Sequence, residues 1–281
     1  MKKVYVALVT PFLSDGQIDF DALYKIITTL IEEGCDGFVV CGTTGESSTL
    51  SEEEKFSILH FVCELCKDKV EIYFGCGSNN TSETLRLCKK AQNYPIDGVM
   101  LVTPYYNKPT QKGLLAHYTC IANNCTHKIM LYEVESRCGC HFEVDTLYEL
   151  IRMCPSIKSL KIATNNIDRV KEICNKIPTL DVLCGSDDKI KEFDMVGAKG
   201  LVSVIGHIEM DKLKAFYKYG IDYDAYFKKI SSAIFYEINP IGIKYAMKYK
   251  YMMNDIVRLP LVSIDNEHKK RIDTFYDNIT Q

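Results

Sequence analysis

Short runs of aliphatic, β-branched and aromatic residues recur along the first two hundred positions of the chain. They alternate with longer stretches in which apolar residues fall every three to four positions, the alternation expected of βα units around a parallel sheet. The runs predict strands over residues 4–9, 37–41, 71–75, 98–102, 129–132, 159–162, 181–184 and 200–204. The intervening stretches predict helices. Over 19–33, Leu23, Ile26, Ile27 and Leu30 share one face, and over 51–67 the pattern Ser51-Glu52-Glu53-Glu54 supplies a capping box at the start. Eight strands, each followed by enough chain for a crossover helix, predict an α/β fold, a (β/α)8 TIM barrel. A doubly wound open sheet is the alternative, because periodicity does not reveal closure. After residue 204 the strand pattern stops, and 210–281 reads as helical with Pro240 and Pro260 as breaks. The expected organisation is a catalytic barrel over 1–208 and a C-terminal helical extension over 209–281, packed on the barrel rather than forming a second domain.

Composition narrows the function classes. Apolar residues make up 47% of the 281 and charged residues 25%, ordinary globular usage. Thirty-four Lys and Arg against 37 Asp and Glu give a net charge of −3, which argues against nucleic acid as a partner. No apolar run approaches the roughly 18 residues of a membrane span, and Met1-Lys2-Lys3-Val4 leads into a strand pattern rather than a signal-peptide core. A cytoplasmic location without a membrane partner is therefore expected. The 13 cysteines lie between Cys35 and Cys184 at no repeated spacing, and Cys63-Glu64-Leu65-Cys66 is a lone CxxC inside a helical stretch. They read as structural thiols in a reducing compartment. His60, His117, His127, His141, His207 and His268 show no paired ligand spacing, and neither GxGxxG nor a Walker pattern occurs. No metal and no nucleotide or nicotinamide cofactor is expected.

In a barrel, reactive side chains belong at the strand ends, where eight loops surround one pocket. The second strand runs into Gly42-Thr43-Thr44-Gly45-Glu46-Ser47, whose hydroxyls and backbone N–H groups suit a carboxylate or phosphate, although a plain helix cap has the same composition. The fourth ends in Thr103-Pro104-Tyr105-Tyr106-Asn107, where two adjacent tyrosines point in different directions, towards a pocket or a partner. The fifth ends at Tyr132, with Arg137 a turn later as a candidate clamp for a carboxylate. The sixth carries Lys161 between Leu160 and Ile162. A strand lysine usually reaches solvent, but inside a barrel desolvation favours the free amine, the form that makes a Schiff base with a carbonyl.

These residues resemble, over essentially the whole chain, the pyruvate-dependent class I lyases and synthases typified by dihydrodipicolinate synthase and N-acetylneuraminate lyase. The resemblance rests on Ala7-Leu8-Val9-Thr10-Pro11, Gly42-Thr43-Thr44-Gly45-Glu46, Val102-Thr103-Pro104-Tyr105-Tyr106-Asn107, Tyr132 with Ser136-Arg137, Lys161, Asn239-Pro240-Ile241-Gly242-Ile243-Lys244 and Arg258-Leu259-Pro260. It implies that Lys161 forms an imine with pyruvate while Thr44, with Thr43 and the backbone of the same turn, holds the pyruvate carboxylate. It also implies a proton relay of Tyr132, Thr43 and Tyr106, the last supplied by a neighbouring subunit, so that the enzyme is a dimer or tetramer. Val202 is implied to line the pyruvate pocket through its backbone. An arginine at the place of Arg137 implies the synthase branch: pyruvate and L-aspartate 4-semialdehyde condense to 4-hydroxy-tetrahydrodipicolinate in lysine and diaminopimelate biosynthesis. The alternatives are a lyase for a 2-keto sugar acid such as N-acetylneuraminate and a non-catalytic paralogue that binds a keto acid.

The sequence departs from the resemblance in places. Glu133 and Glu135 stand where the synthases carry Asn and Pro, in a position to pair with Arg137 and weaken its hold on substrate, and the lost proline costs preorganisation. Ile162 replaces a frequent acidic residue after the lysine, which is expected to remove a polar partner near the site. The family's allosteric lysine site maps onto Ser47, Ser48, Asn79, Glu83 and Tyr105, but Glu52 and Lys55 stand where inhibited members carry histidines. A cation at Lys55 opposes a lysine ligand, so weak inhibition by free lysine, or none, is expected.

Overall fold

The protein is described over residues 2–277 by a computed structural model. Position 1 and positions 278–281, the ends of the two expected regions, lie outside the described residues. Eight parallel strands form a closed barrel in sequence order: β1 Lys3–Ala7, β2 Gly37–Val40, β3 Glu71–Gly75, β4 Gly98–Val102, β5 Lys128–Glu133, β6 Ile157–Ile162, β7 Asp181–Cys184 and β8 Gly200–Ser203. Closure comes from β8 pairing with β1, with Val202 opposite Tyr5. The open-sheet alternative is thereby set aside.

The crossover helices are α1 Phe20–Glu32, α2 Glu52–Cys66, α3 Thr81–Ala91, α4 Gln111–Ala122, the one-turn α5 Glu135–Cys138, α6 Val144–Met153, α7 Ile167–Lys176, α8 Ile190–Met195 and α9 Gly206–Tyr219. On α1, Leu23, Ile26, Ile27 and Leu30 are all fully buried, as their spacing predicts, and each contributes roughly 1.5–3 kcal/mol. The capping box of α2 also forms: Glu54 N–H donates to Ser51 Oγ at 3.2 Å, and Ser51 N–H donates to the Glu54 carboxylate at 2.8 Å. Together they satisfy two end groups that a helix leaves orphaned.

Beyond the barrel lie α10 Asp224–Ile234, α11 Ile241–Tyr251 and α12 Asn266–Asp277, with Pro240 directly before α11 and Pro260 between α11 and α12. The expected boundary at 208/209 falls at a bend, because Glu209 inside α9 leaves helical geometry at φ −131°. The rest of α9 packs on β1 as the eighth helix of the ring. Helix α10 lies across the loop after β7, over the C-terminal end of the barrel, and so forms one wall of the pocket described below.

All 13 cysteines carry free thiols, and all but Cys120 and Cys174 are buried. Burial pushes the Cys63 and Cys66 thiols up to about 11 and about 12, which leaves them protonated and unreactive near neutrality. Among the described residues no group of three His, Cys, Asp or Glu is arranged to hold a metal ion, and no helix is long and apolar enough to cross a membrane.

Candidate active site

Lys161 sits near the C-terminal end of β6, in register with Tyr132 on β5, and is only 6% exposed. Its Nζ lies 4.3 Å from the centroid of the Tyr132 ring. No carboxylate of the described residues forms a salt bridge with it, so the nitrogen is held by an aromatic face rather than by a counter-ion. Space for its stem depends on Gly185, the residue after β7, where an added Cβ would stand 3.3 Å from Lys161 Cε.

The turn after β2 brings Thr43 and Thr44 to the same end of the barrel. Cys41 at φ 55° and Glu46 at φ 53° adopt the left-handed conformation, which bends the chain sharply at both sides of the two threonines. The carbonyl of Gly45, between Thr44 and Glu46, accepts from Thr10 Oγ1 at 2.8 Å. The buried Thr44 hydroxyl accepts from Asn239 Nδ2 at 2.9 Å, leaving its own proton free to donate elsewhere.

Glu46 is buried, and its carboxylate accepts from Lys244 Nζ and, at 2.9 Å, from the backbone N–H of Arg258. Burial pulls Lys244 below the ordinary lysine range, and the Glu46 carboxylate opposes that. The Lys244 ammonium also donates to the Ile256 carbonyl at 2.8 Å and lies 4.2 Å from the centre of the Phe12 ring.

Two cavities open at this end. The larger, about 850 Å³, contains Lys161, Thr43, Thr44, Tyr132, Arg137 and a wall from α10. The smaller, about 400 Å³, lies towards β3 and β4 and contains Ser47, Ser48, Lys55, Glu83 and Tyr105. Thr43, Tyr132, Val134 and Arg137 line both and form the partition between them. Asn79 does not line either cavity; it donates to the Tyr105 carbonyl at 3.1 Å and braces that loop. Glu52 also lies outside the smaller cavity, paired with Arg86 and Lys90, which hold its carboxyl down at about 2.

Besides Asn79, two further expected residues are not brought to these cavities. Val202 is buried on β8, and the nearby cavity lining comes from Val204. Tyr106 is 90% exposed at φ 73° and projects away from its own chain's site, whereas Tyr105 turns into the smaller cavity.

The loop after β5 overturns the expectation that its glutamates would engage Arg137. Side chains alternate across a strand, so with Tyr132 facing the barrel, Glu133 faces the helix layer. There it is buried in a two-pronged pair with Arg169 of α7, at 2.6 and 2.9 Å, and accepts from Phe142 N–H at 2.8 Å. Glu135 pairs instead with His141 Nδ1 at 2.9 Å. Arg137 has no ion-pair partner among the described residues. The same alternation turns Ile162, fully buried, away from Lys161, so its apolar side chain takes nothing from the pocket interior.

The sequence reading passed over Asp187. It follows β7 in Gly185-Ser186-Asp187-Asp188, a strand-end cluster of the same kind as the others, and that was its signal. Its buried carboxylate accepts from Ser203 Oγ at 2.5 Å and from the N–H groups of Val204 and Ile205 at 2.9 and 3.1 Å. Burial pushes its carboxyl up, while those three donors and the charge of Lys161 work the other way. The larger cavity also contains Ser231 and Asn239, whose buried Oγ and Oδ1 have no partner among the described residues and are available to a polar ligand.

Residues 1–278 match the model of the dihydrodipicolinate synthetase family. A 4-hydroxy-tetrahydrodipicolinate synthase from Hydrogenobaculum sp. (strain Y04AAS1) is 38% identical over 273 residues, 94% of each chain. Among solved structures, the 4-hydroxy-tetrahydrodipicolinate synthase of Methylacidiphilum fumariolicum SolV superposes with a TM-score of 0.95 at 33% identity, over 100% of this chain and 96% of its own. The chloride-inhibited dihydrodipicolinate synthase of Acinetobacter baumannii, complexed with pyruvate, superposes with a TM-score of 0.94 at 31% identity, over 99% of each chain. A family match spanning the barrel and its added helices, with relatives above 30% identity along nearly the full length, means that this chain belongs to the dihydrodipicolinate synthetase family.

Proposed function

We propose that the protein is a Schiff-base-forming lyase that condenses pyruvate with L-aspartate 4-semialdehyde to 4-hydroxy-tetrahydrodipicolinate, in lysine and diaminopimelate biosynthesis. One observation carries this reading: a buried lysine without a counter-ion opens onto a cavity whose rim holds an unpaired arginine. Lys161 supplies the amine that attacks the pyruvate carbonyl, water leaves, and the imine that remains is an electron sink. The methyl carbon then loses a proton, the enamine attacks the aldehyde, and the amino group of the added semialdehyde displaces Lys161 from the imine carbon, which closes the ring and frees the lysine. Thr43 and Thr44 hold the pyruvate carboxylate, Thr44 with the hydroxyl proton that Asn239 leaves free. Tyr132, against the nitrogen, carries protons to and from the imine and enamine, with Thr43 beside it at the cavity partition.

Tyr106 completes the relay in a second copy of the chain, so the active form is a homo-oligomer, a dimer or a tetramer, working in the cytoplasm. Its 90% exposure and left-handed backbone support that role, since neither serves packing within one chain.

Arg137 selects the aldehyde. A free guanidinium at the rim suits the carboxylate of aspartate semialdehyde, which a neutral sugar aldehyde lacks. With pyruvate as partner, turnover is expected with L-aspartate 4-semialdehyde and not with N-acetylmannosamine; the reverse preference would establish the sugar-acid lyase instead. Arg137→Leu should lower kcat/KM for the semialdehyde roughly 30- to 100-fold, the loss of a charge-assisted contact, and leave half-saturation by pyruvate unchanged.

The smaller cavity is the allosteric site, formed by Ser47, Ser48, Glu83 and Tyr105 with Asn79 behind. With Lys55 inside it, a second ammonium at about 5 Å costs roughly 3 kcal/mol near a protein surface. Free lysine at about 1 mM is therefore expected to reduce the steady-state rate by roughly twofold at most, and Lys55→Ala to increase the sensitivity. Sharp inhibition of the unaltered enzyme at that concentration would remove this reading.

A further inference from the structure

The catalytic assignment leaves a buried charge pair without a task. Glu46 and Lys244 are 3% and 0% exposed, lie 198 residues apart, and touch neither cavity. Yet Glu46 is the residue that ends the Thr43-Thr44 turn, and its left-handed backbone is what brings the chain back into the short helical turn Ser47–Thr49.

A non-glycine residue in that conformation persists only where its surroundings hold it. Here both carboxylate oxygens are taken, Oε1 by the Lys244 ammonium and Oε2 by the Arg258 backbone N–H. Lys244 is in turn fixed by the Ile256 carbonyl and the Phe12 ring. A few residues before Lys244, Asn239 grips the Thr44 hydroxyl itself.

We infer that Glu46 and Lys244 are positioning residues for pyruvate recognition: the C-terminal segment, through this pair, sets the two threonines at the geometry that a carboxylate requires. The inference rests on the assignment of Thr43 and Thr44 above. Neither Glu46 nor Lys244 touches substrate. Their effect passes through the turn, and it falls on pyruvate rather than on the aldehyde, because Arg137 belongs to α5 and shares no hydrogen bond or ion pair with Glu46 or Lys244 among the described residues.

The test is borohydride trapping across a range of pyruvate concentrations, on the intact enzyme, with steady-state kinetics for both substrates and a thermal melt for each variant. The variants are Lys244→Met and the double substitution E46Q/K244M, which removes both charges and leaves neither buried alone. Folded variants are expected to need at least about tenfold more pyruvate for half-maximal trapping, with KM for the aldehyde within twofold of the parent enzyme. The double variant is expected to melt cooperatively and still show the pyruvate defect, because an amide facing a thioether no longer pins the turn.

A variant that melts cooperatively and traps pyruvate at the parent half-saturation overturns the inference, whatever its maximal rate, since a merely structural pair would change the amount of active enzyme and not its pyruvate dependence. Equal weakening for both substrates overturns it too. If the parent enzyme itself gives no adduct on Lys161, the proposed function fails first and takes this inference with it; a parent adduct with unaffected variants fails the inference alone.

Discussion

Lys161→Ala is expected to abolish the pyruvate adduct trapped by borohydride and to lower kcat at least about 10⁴-fold, the scale on which removing a covalent nucleophile acts. The structure offers no substitute. Lys55, Lys189 and Lys228 line the cavities too, but none of them sits against the Tyr132 ring. The alanine variant should still fold, since Lys161 takes part in no salt bridge of the described residues and the buried Asp187 carboxylate keeps its three hydrogen-bond donors when the lysine charge is removed. Intact and peptide mass after reduction checks both parts at once: a pyruvate-sized increment on the peptide carrying Lys161 in the parent enzyme, none in the variant. An adduct that persists in the variant, or turnover within tenfold of the parent, would remove Lys161 from the mechanism. No adduct in either protein would favour a keto-acid-binding paralogue over an enzyme.

Tyr132→Phe should lower kcat by roughly 10²- to 10⁴-fold, the usual contribution of a positioned proton donor and acceptor. The phenylalanine ring keeps the packing against Lys161 and the register between β5 and β6, so stability should move by less than about 1 kcal/mol. The distinguishing signature lies in the trapping experiment. The lysine remains, so the adduct still accumulates, but slowly, because loss of water from the first addition product needs a proton that the phenol supplies. A variant that traps pyruvate at the parent rate and turns over normally would assign the relay to another group.

The strands were legible because a barrel buries both faces of each strand and writes near-continuous apolar runs. Three of the eight coincide with their expected ranges, 71–75, 98–102 and 181–184, and the others differ only at their ends. The first was expected to reach residue 9 because Leu8 and Val9 are as apolar as the strand before them. Leu8 N–H does continue the ladder to the Val39 carbonyl, but pairing ends there. The sixth begins two residues early, at Ile157, because exposed Lys158 breaks the apolar run without breaking the backbone.

What a local pattern does not carry is which distant side chains meet. Glu133 reads as a neighbour of Arg137 four positions on, yet strand alternation sends it to Arg169, 36 residues away. The Asn239 contact with Thr44 spans 195 residues, and the motif containing Asn239 gave no hint of its partner. The candidate site itself was legible in its chemistry, as lysine, tyrosine, hydroxyl turn and arginine at strand ends, and not in the second ring of groups that holds them.

That long-range anchoring also bears on the order in which the molecule becomes competent during synthesis. A nascent chain that has just completed β8 possesses every barrel strand, and with it Lys161, Tyr132 and both threonines. The Thr44 and Glu46 contacts bridge 195 to 212 residues, and their far ends, Asn239, Lys244 and Arg258, emerge from the ribosome afterwards. Contacts so distant in sequence form late, because the chain between them must first be ordered. The strands of the barrel are thus synthesised before the segment that anchors the threonine turn, and the contacts of Asn239, Lys244 and Arg258 are added to a scaffold whose strands already exist.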